Sequence, residues 1–183
     1  ANSLTPNGTD KVEGLNDYDY NPEKAKALLK EANWNSNTEL NVYYYYTDQT
    51  TQDLMAIIQQ YLADVGIKMN ARLVEGDLAT ILWKAPTDPV NGPSAVDWDL
   101  CYAAIAALSL HEYYDRYATG YSINSHTPSD ATLDELIAAT NSSVDTEVQK
   151  KAFNEIQKYE NETLFEIPLY YQPIYLLHSD KIA

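Results

Sequence analysis

Apolar residues recur along this chain with two different periods, and the switches between them mark out the elements. Leu40, Val42, Tyr44 and Tyr46 alternate with Asn41, Tyr43 and Tyr45, the period of a strand. Successive side chains of an extended chain point to opposite faces, so Tyr44 and Tyr46 are expected on one face and Tyr43 and Tyr45 on the other. Leu54, Ile57, Ile58, Tyr61, Leu62 and Val65 then follow a helical period, and Gly66 stands where a left-handed cap is expected. Ile67, Met69, Ala71 and Leu73 alternate with Lys68, Asn70 and Arg72, which predicts a second strand. Strand, helix and strand with tight joints form a βαβ unit with parallel strands and a right-handed crossover. Parallel sheets carry helices on both faces, which places Tyr43 and Tyr45 under a helix. Tyr46, Thr47 and Asp48 fall at the carboxyl end of the first strand, the edge where open α/β sheets gather ligands.

The flanks extend the pattern. Residues 1–20 carry Pro6, Gly8 and Gly14 without a period and read as a loop or hinge segment leading into the domain. Asn21 can cap a helix with Pro22 at its first position and an apolar stripe of Ala25, Leu28, Leu29 and Ala32, its end anchored by Trp34. A short helix is predicted within 76–85, followed by the loop APTDPVNGPS. Trp98, Leu100, Tyr102 and Ala104 open a third strand, residues 109–117 a helical turn, and 120–129 a loop. Two closing helices center on Leu133, Leu136 and Ile137, and on the stripe Val148, Ala152, Ile156 and Tyr159. Short extended runs at 165–171 and 174–178 are divided by Pro173. The organisation predicted is one α/β lobe over 21–178, with 179–183 as an exit segment.

Charge removes several function classes. A formal net charge of −15 and a pI near 4.3 repel phosphate backbones and anionic lipid, so nucleic acid is not an expected partner. Cys101 is the single cysteine, which excludes an internal disulfide and a cysteine-framed zinc site. His111, His126 and His178 lack metal-ligand spacing, and neither a metal nor a cofactor is expected. Asp97 and Asp99 read as a solvated strand-start pair rather than an acid/base couple. No phosphate loop, nucleophile elbow, calcium loop or zinc-protease motif occurs, so no enzyme is indicated. The glycosylation triplets at Asn7, Asn141 and Asn161 are of a kind frequent by chance in an Asn-rich chain. Residues 102–108, YAAIAAL, lie at the same sheet edge as Tyr46. Residues 104–108 read equally as a small-residue loop that a ligand can approach or as a buried strand extension, with His111, Glu112 and Tyr113 as further polar and stacking contacts, while the phase of Tyr102 puts it with the core-facing row.

Several stretches together resemble the extracytoplasmic solute-binding proteins of family 5, the oligopeptide, dipeptide and nickel-binding components of ABC importers. They are YDYNPEKAKALLKEANW at 18–34, QQYLADVGIKMNARLVE at 59–75, then DWDLCYAA, LDELIAAT, QKKAFNEIQKYENE and IPLYYQP in order. The resemblance implies an α/β fold, the type II periplasmic-binding-protein-like lobe, with a mostly parallel sheet and helices on both faces. It also implies an extracytoplasmic binder without turnover, an export signal outside this chain, a further N-terminal lobe, and ABC permease subunits as partners. The ligand loops implied are Tyr46, Thr47 and Asp48, and Ala103, Ala104, Ile105 and Ala106. Peptide-binding members often carry an acid in the second loop, whereas here none precedes Glu112. The expected solute, of oligopeptide or oligosaccharide class, is therefore neutral or held away from its terminus. A self-sufficient carbohydrate-binding module using surface tyrosines is the second reading.

Overall fold

The computed structural model describes residues 1–8, 10–125, 129–173 and 175. His126, His178 and the 174–178 run, apart from Tyr175, lie outside the described residues. The βαβ unit forms as the periodicity predicts: strand β1 (Glu39–Tyr44), helix α2 (Gln49–Asp64) and strand β2 (Lys68–Leu73), preceded by helix α1 (Pro22–Glu31). Helix α3 (Leu78–Leu82) and strand β3 (Leu100–Tyr102) follow, and the sheet order is β2-β1-β3 with both pairings parallel. Glu39 stands opposite Lys68 and Tyr44 opposite Leu73 on one side, while Val42 meets Leu100 and Tyr44 meets Tyr102 on the other. Helices α4 (Leu110–Tyr114), α5 (Ala131–Thr140) and α6 (Thr146–Thr163) complete the chain, with a 3-10 turn at Asp115–Tyr117.

Each sheet face has its own core. Val42 and Met69 pack under α2 against Met55, with Leu54, Ile58 and Leu62 around them. On the opposite face Tyr43, Val74 and Leu82 are buried with Tyr45, Ile81, Trp83 and Trp98. Tyr43 and Tyr44 thus part to opposite faces, as the alternation requires. Tyr45 keeps to the Tyr43 face, as its phase requires. The ladder itself stops at Tyr44, and beyond it the Tyr46 ring lies beside that of Tyr45, centroids 4.3 Å apart.

Two helical stripes need correction. In α2 the face toward the sheet is centred on Thr51 and Met55, and Ile57 and Tyr61 sit at its margin, 50% and 53% exposed. Helix α1 forms where Asn21 and Pro22 place it, with the Asn21 side chain accepting from the Lys24 N–H, yet none of its residues is buried. Propensity and capping suffice to form it, but its stripe contributes nothing to the core. Trp34 is half-buried beyond its end. Gly66 takes φ +91° after the C-terminus of α2, the left-handed conformation expected of it.

The third core joins Leu4, Tyr114, Leu133, Ile137 and Ile156. The stripe drawn through α6 holds at Ile156, which is fully buried, and fails at Val148, which is 48% exposed. The rest of the buried face is polar: Gln157, Glu160 and Asn161 turn inward to hold the N-terminal loop. Glu160 accepts from the Leu4 N–H at 2.6 Å, the Ser3 hydroxyl at 3.0 Å and the Tyr114 hydroxyl at 3.1 Å. Asn161 donates to the carbonyls of Asn2 and Asn16 and accepts from the Asn16 N–H, and Gln157 spans the Val12 N–H and the Asp10 carbonyl. These side chains satisfy the backbone of a segment that has no ladder of its own. Asn161, the acceptor of its glycosylation triplet, is buried within this clamp.

Asp145 starts α6 by accepting from the Glu147 and Val148 N–H groups at 3.0 and 3.1 Å. Asp145→Ala is expected to cost about 1 kcal/mol by chemical denaturation, the usual worth of such a cap.

Candidate functional site

Because Tyr44 and Tyr102 stand opposite each other at the ends of β1 and β3, both chains leave the sheet at one edge. Tyr46 and the Ala103–Ala106 segment meet there: the Ala104 N–H donates to the Tyr46 hydroxyl at 3.0 Å. Tyr46 and Tyr45 share a hydroxyl–hydroxyl bond of 2.9 Å, and the Tyr46 ring stands edge-on to Tyr102 at 5.9 Å. Tyr45 in turn meets Trp83 at 5.6 Å, and the Tyr102 hydroxyl bonds that of Tyr170 at 2.6 Å. Five aromatic side chains therefore run across this edge with a line of phenols among them. Burial and the bonded neighbouring phenol hold the Tyr45 hydroxyl well above the ordinary tyrosine range, and Tyr102 is shifted the same way by burial and Tyr170. Tyr45 and Tyr102 therefore stay neutral donors and acceptors at physiological pH.

Residues 103–108 settle between the two sequence readings. Ala104, Ala106 and Leu108 are exposed while Ala103, Ile105 and Ala107 are half-buried, and Ile105 packs on the helical core. The segment is thus anchored on one side and accessible on the other. Tyr102 does both: its ring packs by Val42 and Met69 while its hydroxyl reaches the edge. Tyr45, Trp83 and Tyr170 belong to the same surface and were not singled out from sequence. Strand phase places the Tyr45 ring in the core beside Tyr43 but says nothing of its hydroxyl contact with Tyr46, and no local pattern tells where the 165–171 run lies.

The acidic candidates are already engaged. Asp48 caps α2, accepting from the Thr51 N–H at 2.9 Å and the Thr51 hydroxyl at 2.8 Å, bonds that lower its pKa. Thr47 is exposed, its carbonyl accepting from the Gln52 amide. Glu112 accepts from the Leu108 N–H at 2.8 Å. His111 lies away from the sheet edge, bonded through Nδ1 to the Thr140 hydroxyl at 2.6 Å. That hydroxyl already donates to the Ile137 carbonyl, so the imidazole Nδ1 is the donor. Tyr113 packs on the helical core and lines a shallow depression of about 470 Å³ between residues 5–10 and 107–110. The depression therefore lies at the far end of the segment from Tyr46.

Nothing here supplies a nucleophile or a metal cage. Burial pushes the Cys101 thiol up to about 12, leaving it protonated and inert. Asp99 is structural, taking the Asn41 N–H at 2.7 Å and returning its own N–H to the Asn41 carbonyl. No group of His, Cys, Asp and Glu capable of holding a metal occurs among the described residues, and none of their helices is long and apolar enough to cross a membrane.

The parallel sheet flanked by helices, with an aromatic edge, has the periplasmic-binding-protein-like fold. Among solved structures, the chain is similar to the ABC transporter substrate-binding protein CtaP of Listeria monocytogenes, with a TM-score of 0.73 and 21% identity over 88% of this chain and 32% of that one. It is also similar to a mannohexaose-bound periplasmic oligopeptide-binding protein of Thermotoga maritima, with a TM-score of 0.64 and 18% identity over 85% of this chain and 31% of that one. In sequence it is 27% identical over 112 residues to the oligopeptide-binding protein AppA of Bacillus subtilis, covering 55% of this chain and 19% of that protein. Residues 1–136 match the family model of bacterial extracellular solute-binding proteins, family 5, and the chain belongs to that family. It spans about a third of the length of the solved relatives. The self-sufficient carbohydrate-binding module finds no support in these matches.

Proposed function

We propose that this chain is one lobe of the substrate-binding component of an ABC importer. It closes with a second lobe over an extracytoplasmic solute and delivers that solute to the permease subunits. Family membership over residues 1–136 carries the reading. Its location is outside the cytoplasmic membrane, where family 5 binding proteins work, and no turnover is assigned to it. Closure is a population shift, favoured by contacts available only when both lobes touch the solute.

The contact surface proposed on this lobe is Tyr46, Thr47 and Asp48, with Ala103, Ala104, Ile105 and Ala106 and with Glu112 beyond them, while His111 and Tyr113 are engaged by the helical core. The solute is a small oligopeptide or oligosaccharide, neutral where it meets this surface. Two observations support neutrality. Asp48 is bonded through both oxygens to Thr51 and Glu112 through one to the Leu108 N–H, so a ligand ammonium would have to share each carboxylate with an internal donor. The remaining surface is phenol, backbone and methyl, which suits stacking and neutral hydrogen bonds. An AppA relative named for oligopeptides and a neighbour holding mannohexaose fit the two solute classes.

Affinities of the two-lobed parent for a peptide and its Nα-acetylated form test this by calorimetry. Acetylation is expected to change affinity less than about tenfold, since no charge pair is lost. Tight binding of the free peptide, abolished both by acetylation and by Asp48→Asn or Glu112→Gln, would place an ammonium anchor in this lobe and refute the neutral surface.

A further inference from the structure

We propose that the Tyr46 hydroxyl is a placeholder for the solute: it holds the Ala104 N–H until an uncharged oxygen acceptor, an amide carbonyl or a sugar hydroxyl, takes it over. The inference rests on the solute-binding role proposed for this edge.

Strand β3 ends at Tyr102, and beyond it the main chain has no ladder partner, so the Ala104 N–H must find its acceptor elsewhere. It finds a side chain, the phenol of Tyr46, at 3.0 Å. Ala104 is exposed and offers only a methyl group, so its own side chain blocks no approach to that N–H. Tyr46 lies outside the β1 ladder, and its ring rests on Tyr45 and Tyr102 whatever its hydroxyl bonds. The Tyr45 hydroxyl, 2.9 Å away, remains as a partner when the Ala104 bond is given up.

Exchange with a solute oxygen thus replaces one neutral bond with another and orphans neither group. The other side-chain-held amide of this segment is different in kind. The Leu108 N–H is bonded to the Glu112 carboxylate, a charge-assisted contact whose displacement strands an anion. Ala104 is therefore the exchangeable position. Because the group released is a donor, the solute must present an acceptor, and the net charge of −15 disfavours an anionic one.

The test is NMR on the ¹⁵N-labelled chain, its Tyr46→Phe variant and its Tyr45→Phe variant, with acetyl-trialanine-amide and mannohexaose as separate millimolar probes. Ala104 amide exchange is expected to quicken at least about tenfold in Tyr46→Phe and to stay slow in Tyr45→Phe, which keeps the acceptor. One probe is expected to shift the Ala104 amide in every form, and to bind Tyr46→Phe about three- to tenfold more tightly because the Tyr46 acceptor no longer competes. The probe that does so separates carbonyl from sugar oxygen. Weaker binding to Tyr46→Phe makes the phenol a direct solute contact and overturns the placeholder. Shifts at Thr47 and Ala106 with Ala104 unmoved overturn it too while keeping the edge as the binding surface. No shift anywhere on the edge removes both readings.

Discussion

Replacing Glu160 by alanine is expected to destabilise this chain by about 3–5 kcal/mol at pH 5, among the largest effects a single change here can have. The carboxyl group is 1% exposed and meets three donors on two other segments, the Leu4 N–H, the Ser3 hydroxyl and the Tyr114 hydroxyl. Alanine leaves those donors buried without an acceptor and opens a void beside Tyr114. At roughly 2–4 °C per kcal/mol for a domain of this size, the melting temperature should fall by about 6–20 °C. The wild type should also show a pH signature. Burial pushes the Glu160 pKa up to about 7 against the pull of its three donors, and Glu166 nearby adds in the same direction. A carboxyl group whose folded pKa lies above its unfolded value binds more protons when folded. Its contribution is therefore complete below about pH 4.5 and is lost as pH rises toward 7, a swing of about 3 kcal/mol. Glu160→Gln, which cannot ionise but can still accept from Leu4, should abolish that slope and keep most of the low-pH stability. The quantity to measure is the difference in unfolding free energy between wild type and Glu160→Gln from pH 4.5 to 8. A pH-independent difference would show that Glu160 stays ionised in the fold.

The second large effect concerns binding. The 183-residue chain alone is expected to hold the solute of the two-lobed parent at least about a thousandfold more weakly, a loss of roughly 4 kcal/mol. The aromatic edge is a surface, and the shallow depression of about 470 Å³ lined by Thr5, Gly8, Ala107, Leu110 and Tyr113 takes in none of the edge tyrosines. A solute on such a surface keeps most of its water, whereas small-molecule sites bury most of their ligand. Its ordering cost remains, while the contacts that offset it are halved. Calorimetry on lobe and parent with the same solute decides the matter, and equal affinities would contradict two-lobed closure.

What sequence made legible follows from where local rules suffice. The βαβ unit, both parallel pairings and the convergence of Tyr46 with Ala104 follow from strand period, crossover handedness and the shared direction of parallel strands. Local rules fail where a residue's partner is remote. Gln157, Glu160 and Asn161 look like the solvent face of an amphipathic helix, because hydropathy cannot register that residues 2–16 will supply buried donors and acceptors. The stripe of α1 fails in the opposite sense, since an apolar pattern does not guarantee a covering surface. At the site, phase places the Tyr45 ring beside Tyr43, but nothing in the four-tyrosine run says that the ladder stops at Tyr44 and lets the Tyr45 hydroxyl meet that of Tyr46. The part played by Tyr170 depends on a hydroxyl contact across 68 residues, which no window of sequence contains.

The clamp on α6 also dictates an order of events during synthesis. Ser3 and Leu4 are bonded to a carboxylate that follows them by 157 and 156 residues, and the Asn16 contacts span 145. At roughly 5–20 residues per second, those early residues wait on the order of ten to thirty seconds for their partners to leave the ribosome. The βαβ unit, complete by Leu73, can pair and collapse long before that. Closing the clamp is then a late, high-contact-order step. Until α6 arrives, the loop carrying Ser3, Leu4 and Asn16 is open to chaperones and proteases, and α6 seals a segment made 145–157 residues earlier.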